Sequence, residues 1–176
     1  HAGTHIDLPY HFNQKGKTLN DYKPSFWCFN EIHLLDISND VTEKQIITPD
    51  LFYEIENKSL DLLLIKTGYG SHRGNNKYTL TPPGLSYQLP DFFRSNFPNL
   101  RCVGVDLISI TSYANRAHGK KAHNTFLNPQ KGEPIIIIED MNLKISSKIK
   151  KVIVAPLLID NADGTPCTVI AFTDEY

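Results

Sequence analysis

The amino-acid sequence predicts an α/β fold in one domain, in which helices pack on a mixed sheet. Short runs rich in β-branched and aliphatic residues recur along the chain, as expected of buried strands. Helical spacing of apolar residues appears in two other segments, and strands and helices do not alternate strictly. The length of 176 residues suits a single domain spanning 1–176.

Six segments are strand candidates. The four strongest are 62–66, 101–109, 134–140 and 150–159, and two weaker ones are 31–37 and 168–172. The turn signals Asp163-Gly164 and Pro166 precede the last candidate, so we expect a hairpin at the C-terminal end.

Two helices are predicted. The first should begin near Pro49, because Thr48 is a suitable cap and Asp50 would lie in the first turn. The second should span 86–97, provided that its proline lies in the first turn. Between them, 68–84 carries Gly, Asn and Pro signals without an apolar period, which predicts a long loop.

Composition argues against several classes of protein. The net charge is −1 and the 18 basic residues are scattered, so we expect no nucleic-acid partner. The apolar runs are far shorter than the roughly 20 residues that cross a bilayer. Three widely spaced cysteines favour reduced, buried thiols over a disulfide framework. The first residue is not Met, so we expect that upstream residues have been removed.

The first eleven residues hold three of the seven histidines and one aspartate. His1 and His5 have the spacing of two ligands on a helix, but Gly3 and Pro9 oppose a helix there. In an extended chain, His5 and Asp7 share one face, and Gly3 would let His1 join them. Two imidazoles and a carboxylate suit zinc, manganese or iron. An exposed N-terminal arm or a tag remnant is the alternative.

This stretch resembles HxGTHxDxPxH, the signature of the cyclase family of metal-dependent hydrolases, which includes kynurenine formamidases and isatin hydrolases. The matching positions are His1, Gly3, Thr4, His5, Asp7, Pro9 and His11. Similar segments follow along the chain: 65–68 resembles the strand that ends in TG, 103–109 GxDxxS, 122–127 AHxxLL, 139–143 the ENL-type segment, and 155–158 with 163–166 the C-terminal hairpin.

The resemblance implies an α/β swivelling fold and one or two divalent metal ions, zinc or manganese before others. It implies that one ion is held by His1, His5 and Asp7, and that a second is held by Asp7, His123 and Glu139. It makes His11 the acid/base in hydrolysis of a non-peptide carbon–nitrogen bond, with hydroxide attack at the metal. Without the motif, a structural role for His11 would be the better interpretation.

Other positions compete with these or support them. We prefer His123 to His118 as the ligand, and expect only one of Glu139 and Asp140 to reach the metal. Thr4, Asp106 and Ser109 are candidates to orient the ligands. Four aromatic residues are candidates to line a substrate pocket, and the alternative is that they belong to the core: Tyr10, Phe12, Phe26 and Trp27.

The sequence departs from the family pattern in three places. Thr111 stands where an acidic residue is usual, Asn124 where arginine is common, and 128–133 resembles an inserted turn. Kynurenine formamidase is therefore only one possible activity on a small-molecule amide. The resemblance implies a homodimer or homotetramer, and we predict a cytoplasmic location. The alternatives are a metal-dependent lyase or dehydratase, and a metal-containing binding protein without turnover.

Overall fold

The structure is a computed structural model that describes residues 3–174. Within that range, ten strands and three α-helices are linked by turns and 3₁₀ segments. The strands are β1 (His5–Asp7), β2 (Cys28–Phe29), β3 (Ile32–Asp36), β4 (Ile46–Ile47), β5 (Leu62–Lys66), β6 (Gly84–Leu85), β7 (Cys102–Val105), β8 (Ile136–Glu139), β9 (Ile149–Pro156) and β10 (Gly164–Thr173). The helices are α1 (Asn76–Leu80), α2 (Leu89–Asn96) and α3 (Arg116–Leu127).

The described strands form one large mixed sheet in the order β2-β9-β10-β1-β8-β7-β5-β3, and β4 pairs separately with β6. One half of the large sheet is parallel, from β3 through β5 and β7 to β8. In the other half, β1, β10, β9 and β2 pair antiparallel. The sheet curves until β3 contacts β9. The predicted α/β fold with a mixed sheet is therefore confirmed.

Most predicted elements are present, with shorter bounds. β5 has the predicted range, and the C-terminal hairpin is formed by β9 and β10. α2 begins at Leu89, so Pro90 does lie in the first turn, where its missing N–H costs no helical hydrogen bond. The helix predicted at Pro49 is only a 3₁₀ segment, Pro49–Phe52.

One prediction about helical structure was wrong, and one helix was missed. The predicted loop 68–84 contains a 3₁₀ segment, Tyr69–His72, and α1, whose start is capped by the Asn75 side chain. No helix was predicted at 116–127, where α3 lies. Its buried positions do have helical spacing, but basic residues at four other positions of the helix obscured the pattern. The buried residues are Gly119, Ala122, His123, Phe126 and Leu127.

An aromatic cluster fixes the position of α3. Phe93 of α2 packs against Phe126 of α3, with ring centroids 6.2 Å apart, and also against Phe52 at 5.1 Å. All three rings are fully buried. Burial of a phenylalanine side chain stabilises the fold by about 1.5–3 kcal/mol. α3 is thereby held against α2 and over β8.

No helix in residues 3–174 combines the length and apolar character needed to cross a bilayer. The three cysteines are free thiols. Cys102 is fully buried, whereas Cys28 and Cys167 are half-buried. Burial raises the pKa of Cys167 to about 12, so this thiol is un-ionised near neutral pH.

Candidate metal centre

Strand β1 places His5 and Asp7 on the same face of the sheet. Successive side chains of a strand alternate, so Ile6 points the other way, into the core, where it is fully buried. β1 is hydrogen-bonded to β8 on one side and β10 on the other, so its position is set by both neighbours. The extended conformation predicted for this segment is confirmed. His1 lies outside the described residues.

Glu139 comes from β8, directly opposite His5 in the antiparallel pair. Its Oε2 lies 3.3 Å from His5 Nε2. Asp140 turns away from this cluster, with a φ of 56°. Its carboxylate instead accepts hydrogen bonds from Arg73 and from the hydroxyl of Tyr78. As expected, only one of the two adjacent carboxylates points into the site.

The fourth side chain of the cluster is His123, which α3 lays over the same face of the sheet. Its Nε2 lies 3.2 Å from a Glu139 carboxylate oxygen and 3.6 Å from one of Asp7. His118, the competing histidine, lies against Tyr87, with ring centroids 4.9 Å apart. The structure thus brings together four of the five predicted ligands: His5, Asp7, His123 and Glu139.

Hydrogen bonds to the backbone set the orientation of both imidazoles. His5 Nδ1 lies 2.9 Å from the carbonyl oxygen of Gly3, and His123 Nδ1 lies 3.0 Å from that of Gly119. A carbonyl oxygen can only accept, so Nδ1 is the donor in both rings. In the neutral imidazole, Nε2 then carries the lone pair, and both Nε2 atoms face the carboxylates. This is how histidines are usually arranged around a metal ion.

Contacts around the cluster hold the remaining side chains. One oxygen of Glu139 accepts the Ile110 N–H at 2.7 Å and the Ser109 hydroxyl at 3.2 Å. Thr111 Oγ1 lies 3.1 Å from His123 Nδ1. Asp106, expected beside the ligands, instead accepts hydrogen bonds from Thr67 and organises the loop after β5. Thr4 does lie nearby, where its hydroxyl donates to the Asp140 carbonyl.

The cluster is electrostatically coupled. Burial alone would lower the pKa of His123, but its hydrogen bonds with Asp7 and Glu139 outweigh that effect and raise it to about 10. The pKa of His5 is also raised: burial alone would lower it, but the hydrogen bond with Glu139 and other contacts outweigh burial. Burial would raise the pKa of Glu139, but hydrogen bonds from the two histidines lower it to about 2. Facing carboxylates and imidazoles therefore need positive charge between them, from protons or from a metal ion.

The chemistry of these donors fits a divalent cation. Among residues 3–174, His5, Asp7 and Glu139 form a group whose ligand atoms lie within 4.8 Å of one another, and all three are buried. Two nitrogen and several carboxylate oxygen donors suit a divalent transition-metal ion. His123 adds a fourth donor, because its Nε2 lies close to the carboxylates of Asp7 and Glu139.

The cluster forms the base of an open cavity of about 490 Å³. Phe12 lines its wall and stacks on His123, with ring centroids 5.5 Å apart. Of the aromatic residues proposed for a substrate pocket, Phe12 alone lines this cavity within the described residues. Phe26 and Trp27 pack against each other and against Tyr22, away from the site.

His11 stands at the edge of the same cavity. A 3₁₀ segment, Pro9–His11, turns the chain out of β1. The His11 Nδ1 atom lies 2.7 Å from a carboxylate oxygen of Asp163, just before β10. A carboxylate oxygen accepts, so Nδ1 donates, and in the neutral ring the lone pair is on Nε2. The pairing of β1 with β10 brings the two residues together, since the Leu8 N–H donates to the Asp163 carbonyl.

Sequence reasoning missed the contacts of Thr111 and Asp163. Thr111 was noted only as a departure from the family pattern, although its hydroxyl contacts His123. Asp163 was assigned to a turn, and its pairing with His11 depends on strand register that no local pattern reveals. If related sequences kept an acidic residue at this position of the hairpin whenever they kept His11, that joint conservation would have indicated the pairing.

Residues 1–112 match the family model described as "Putative cyclase". The chain therefore belongs to the cyclase family.

Its relatives include hydrolases. A kynurenine formamidase of Bacillus cereus (strain ATCC 10987 / NRS 248) is 26% identical over 169 residues, which cover 94% of this chain and 73% of the relative. The solved structure of isatin hydrolase A from Labrenzia aggregata, bound to benzyl benzoate, has a TM-score of 0.80 at 21% identity, covering 98% of this chain and 73% of that one. Another, "The Structure Of Potential Metal-Dependent Hydrolase With Cyclase Activity", has a TM-score of 0.76 at 23% identity, covering 99% and 80%.

Proposed function

We propose that this protein is a metal-dependent hydrolase of a non-peptide carbon–nitrogen bond, in an amide, formamide or cyclic amide. One observation carries the proposal: two imidazole Nε2 atoms and two carboxylates converge at the base of an open cavity, where a histidine paired with a carboxylate also stands. The kinship with a kynurenine formamidase supports this class of reaction.

His5, Asp7, His123 and Glu139 would hold one or two divalent ions, with His1 as a further ligand. When bound, such an ion supplies the Lewis acid that polarises the amide carbonyl and makes water a stronger nucleophile near neutral pH. Asp7 and Glu139 each offer two oxygens and lie between the two imidazoles. Each of these carboxylates would therefore be within reach of an ion held on either side. Zinc and manganese fit this donor set.

His11 would handle the protons. Its Nδ1 donates to Asp163, so Nε2 can take a proton from water and return it to the leaving nitrogen. Asp163 holds the ring in one orientation and one tautomer, as a carboxylate partner does for a catalytic histidine. Phe12 contacts both the His11 ring and the His123 ring, and so fixes the space between acid/base and metal.

The test combines metal content with turnover. Elemental analysis of the tag-free protein should give one to two equivalents of zinc or manganese. His5→Ala and Glu139→Ala should lose most of that metal, while His118→Ala, a control histidine on the same helix as His123, should keep it. Aryl formamides and cyclic amides should be hydrolysed by the wild type and the control alone.

Two further measurements separate this reaction from its alternatives. Hydrolysis in ¹⁸O-water must place the label in the acid product, whereas a lyase or dehydratase would leave it out. A His11→Ala variant should keep its metal but lose turnover by about 10²–10⁴-fold. Full activity without His11 would contradict the acid/base role.

A cytoplasmic homodimer or homotetramer stays a prediction. Size-exclusion chromatography would test the number of subunits, and cell fractionation would test the location.

A further inference from the structure

Arg116, Lys120 and His123 lie on one face of α3, since they are spaced four and then three positions apart. All three line the cavity that has Glu139 at its base. At about 1.5 Å of rise per residue, Lys120 lies roughly 4.5 Å and Arg116 roughly 10 Å along the helix from His123. The helix therefore places two cations in a row that leads from the candidate metal centre to the mouth of the cavity.

These two cations have no acidic partner in the described part of the chain. Ion pairs between residues 3–174 engage other basic side chains, such as Lys66 with Asp36 and Arg101 with Asp61. Neither Arg116 nor Lys120 takes part in such a pair within that range. The Arg116 guanidinium stacks over Tyr113, at 4.4 Å from the ring centroid, which restricts its position at the mouth.

Two apolar side chains also line the cavity. Phe12 stacks on His123, and Ile108 presents a partly exposed aliphatic side chain to the same space. The acids at the base, Asp7 and Glu139, are matched by two histidines and by the proposed metal. A ligand in this cavity would thus be within reach of the candidate metal centre, of apolar side chains and of two cations.

We propose that the substrate carries an anionic group, such as a carboxylate, on an aromatic or similarly apolar body, roughly 5–10 Å from the bond that is cleaved, and that Arg116 and Lys120 bind this group. The distance follows from the helical rise between His123 and the two cations. The inference rests on the proposed amide hydrolysis and adds a specificity-determining pair to it.

Three aryl formamides test the proposal: 3-formamidobenzoate, its neutral analogue 3-formamidobenzamide, and formanilide. The wild-type protein, loaded with zinc, should prefer the carboxylate over the carboxamide by about five- to tenfold in kcat/KM at low salt, mainly through KM. Arg116→Gln/Lys120→Gln should lose this preference, with each kcat/KM expressed relative to that of the same protein for formanilide. The preference of the wild type should also shrink at roughly 0.5 M NaCl, where charges are screened within a few ångströms.

Lys121→Gln is the matched control. Lys121 is the neighbour of Lys120 but lies over the ring of Tyr87, outside the cavity, so this variant should keep the wild-type preference. Equal kcat/KM for carboxylate and carboxamide in the wild type, or an unchanged preference in the double variant, would overturn the inference.

The anion site can be tested even if the proposed reaction fails. If none of the three formamides is hydrolysed, calorimetry with benzoate on the zinc-loaded protein takes the place of kinetics. Binding at least fivefold weaker in the double variant than in Lys121→Gln would support the anion site while the amide hydrolysis is rejected. Equal benzoate binding by both variants would reject the anion site.

Discussion

The hydrogen bond made by each Nδ1 atom decides what the histidines of the site can do. Gly3 and Gly119 carbonyls fix Nδ1 as the donor in His5 and His123, and Asp163 does the same for His11. In each neutral ring the lone pair is then on Nε2. Two of these nitrogens face carboxylates and would bind a cation, while the third lines the cavity and would act on water or substrate.

Protons and metal should compete for His123. Its pKa is raised to about 10 in the metal-free site, because hydrogen bonds with Asp7 and Glu139 outweigh burial, so it is protonated throughout pH 6–8. A metal ligand must be deprotonated, hence zinc binding must release this proton. We expect the affinity for zinc to rise about tenfold per pH unit for each proton released, over pH 6–7.5.

Calorimetry in two buffers with different ionisation enthalpies would count the protons. At pH 7, His123 should contribute about one proton per ion bound, and His5, whose pKa is also raised, should add to it. Glu139 should add none, because its pKa is lowered to about 2. A His123→Asn variant should release fewer protons than the wild type. An affinity independent of pH would contradict this account.

Replacement of Asp163 should lower the turnover rate without changing metal binding. Its hydrogen bond to His11 is partly exposed, so we expect Asp163→Asn to lower kcat by about 10- to 100-fold, less than a buried partner would. Zinc content should be unchanged, and Asp163→Glu should recover part of the rate. Asp160→Asn in the same turn is the control, because Asp160 contacts Asn20 and lies outside the cavity. Wild-type kcat in Asp163→Asn would refute the pairing as a functional feature.

At this scale, the sequence predicted the side chains that carry the chemistry but not those that hold them. His5 and Asp7 follow from the period of a strand, and both lie in the cluster. His123 could be chosen over His118 only by resemblance, because both lie in the same polar segment. Thr111 and Asp163 reach the histidines through tertiary contacts, which no local pattern encodes.

Among the elements, α3 depends on a glycine in its interior. A Cβ on Gly119 would lie 2.5 Å from the Cβ of Thr111, so the two segments could not keep their spacing. Alanine normally favours a helix over glycine by about 1 kcal/mol. Here we expect Gly119→Ala to destabilise the protein by about 1–3 kcal/mol instead, and to weaken zinc binding because Thr111 must leave His123.

Chemical denaturation and zinc titration would measure both effects. Asn124→Ala is the control, because Asn124 lies on the exposed side of the same helix and its replacement should leave stability within about 0.5 kcal/mol. A Gly119→Ala variant more stable than the wild type would show that Thr111 can move at no cost.

Predictions of elements succeeded where apolar runs are unbroken and failed where polar residues interrupt them. β5 was predicted with its exact bounds, because all its core positions are aliphatic. α3 was missed because basic residues on its outer face dilute a buried face of small and aromatic residues. The Pro49 segment has the start signals of a helix, but it ends at Phe52 after four residues, which is too short for an α-helix to be stable on its own.

For the whole molecule, metal binding should stabilise the fold, since the ligands lie on β1, β8 and α3. At a free zinc concentration of about 100 times Kd, the gain is about 2.7 kcal/mol. For a chain of this size, the melting temperature should rise by roughly 5–11 °C. Glu139→Gln should abolish the shift, while Glu54→Gln, an exposed glutamate far from the cavity, should keep it. An equal rise in both variants would point to metal binding elsewhere.

The position of β1 between β8 and β10 has a consequence for synthesis on the ribosome. Thr4 bonds to Asp140, 136 residues further along the chain, and β1 also needs β10 beyond that point. At roughly 5–20 residues per second, the nascent chain must carry its first strand unpaired for several seconds or longer. During that time His5 and Asp7 are exposed without Glu139, and a chaperone that shields this segment would protect the nascent chain from premature metal capture and from pairing with the wrong strand edge.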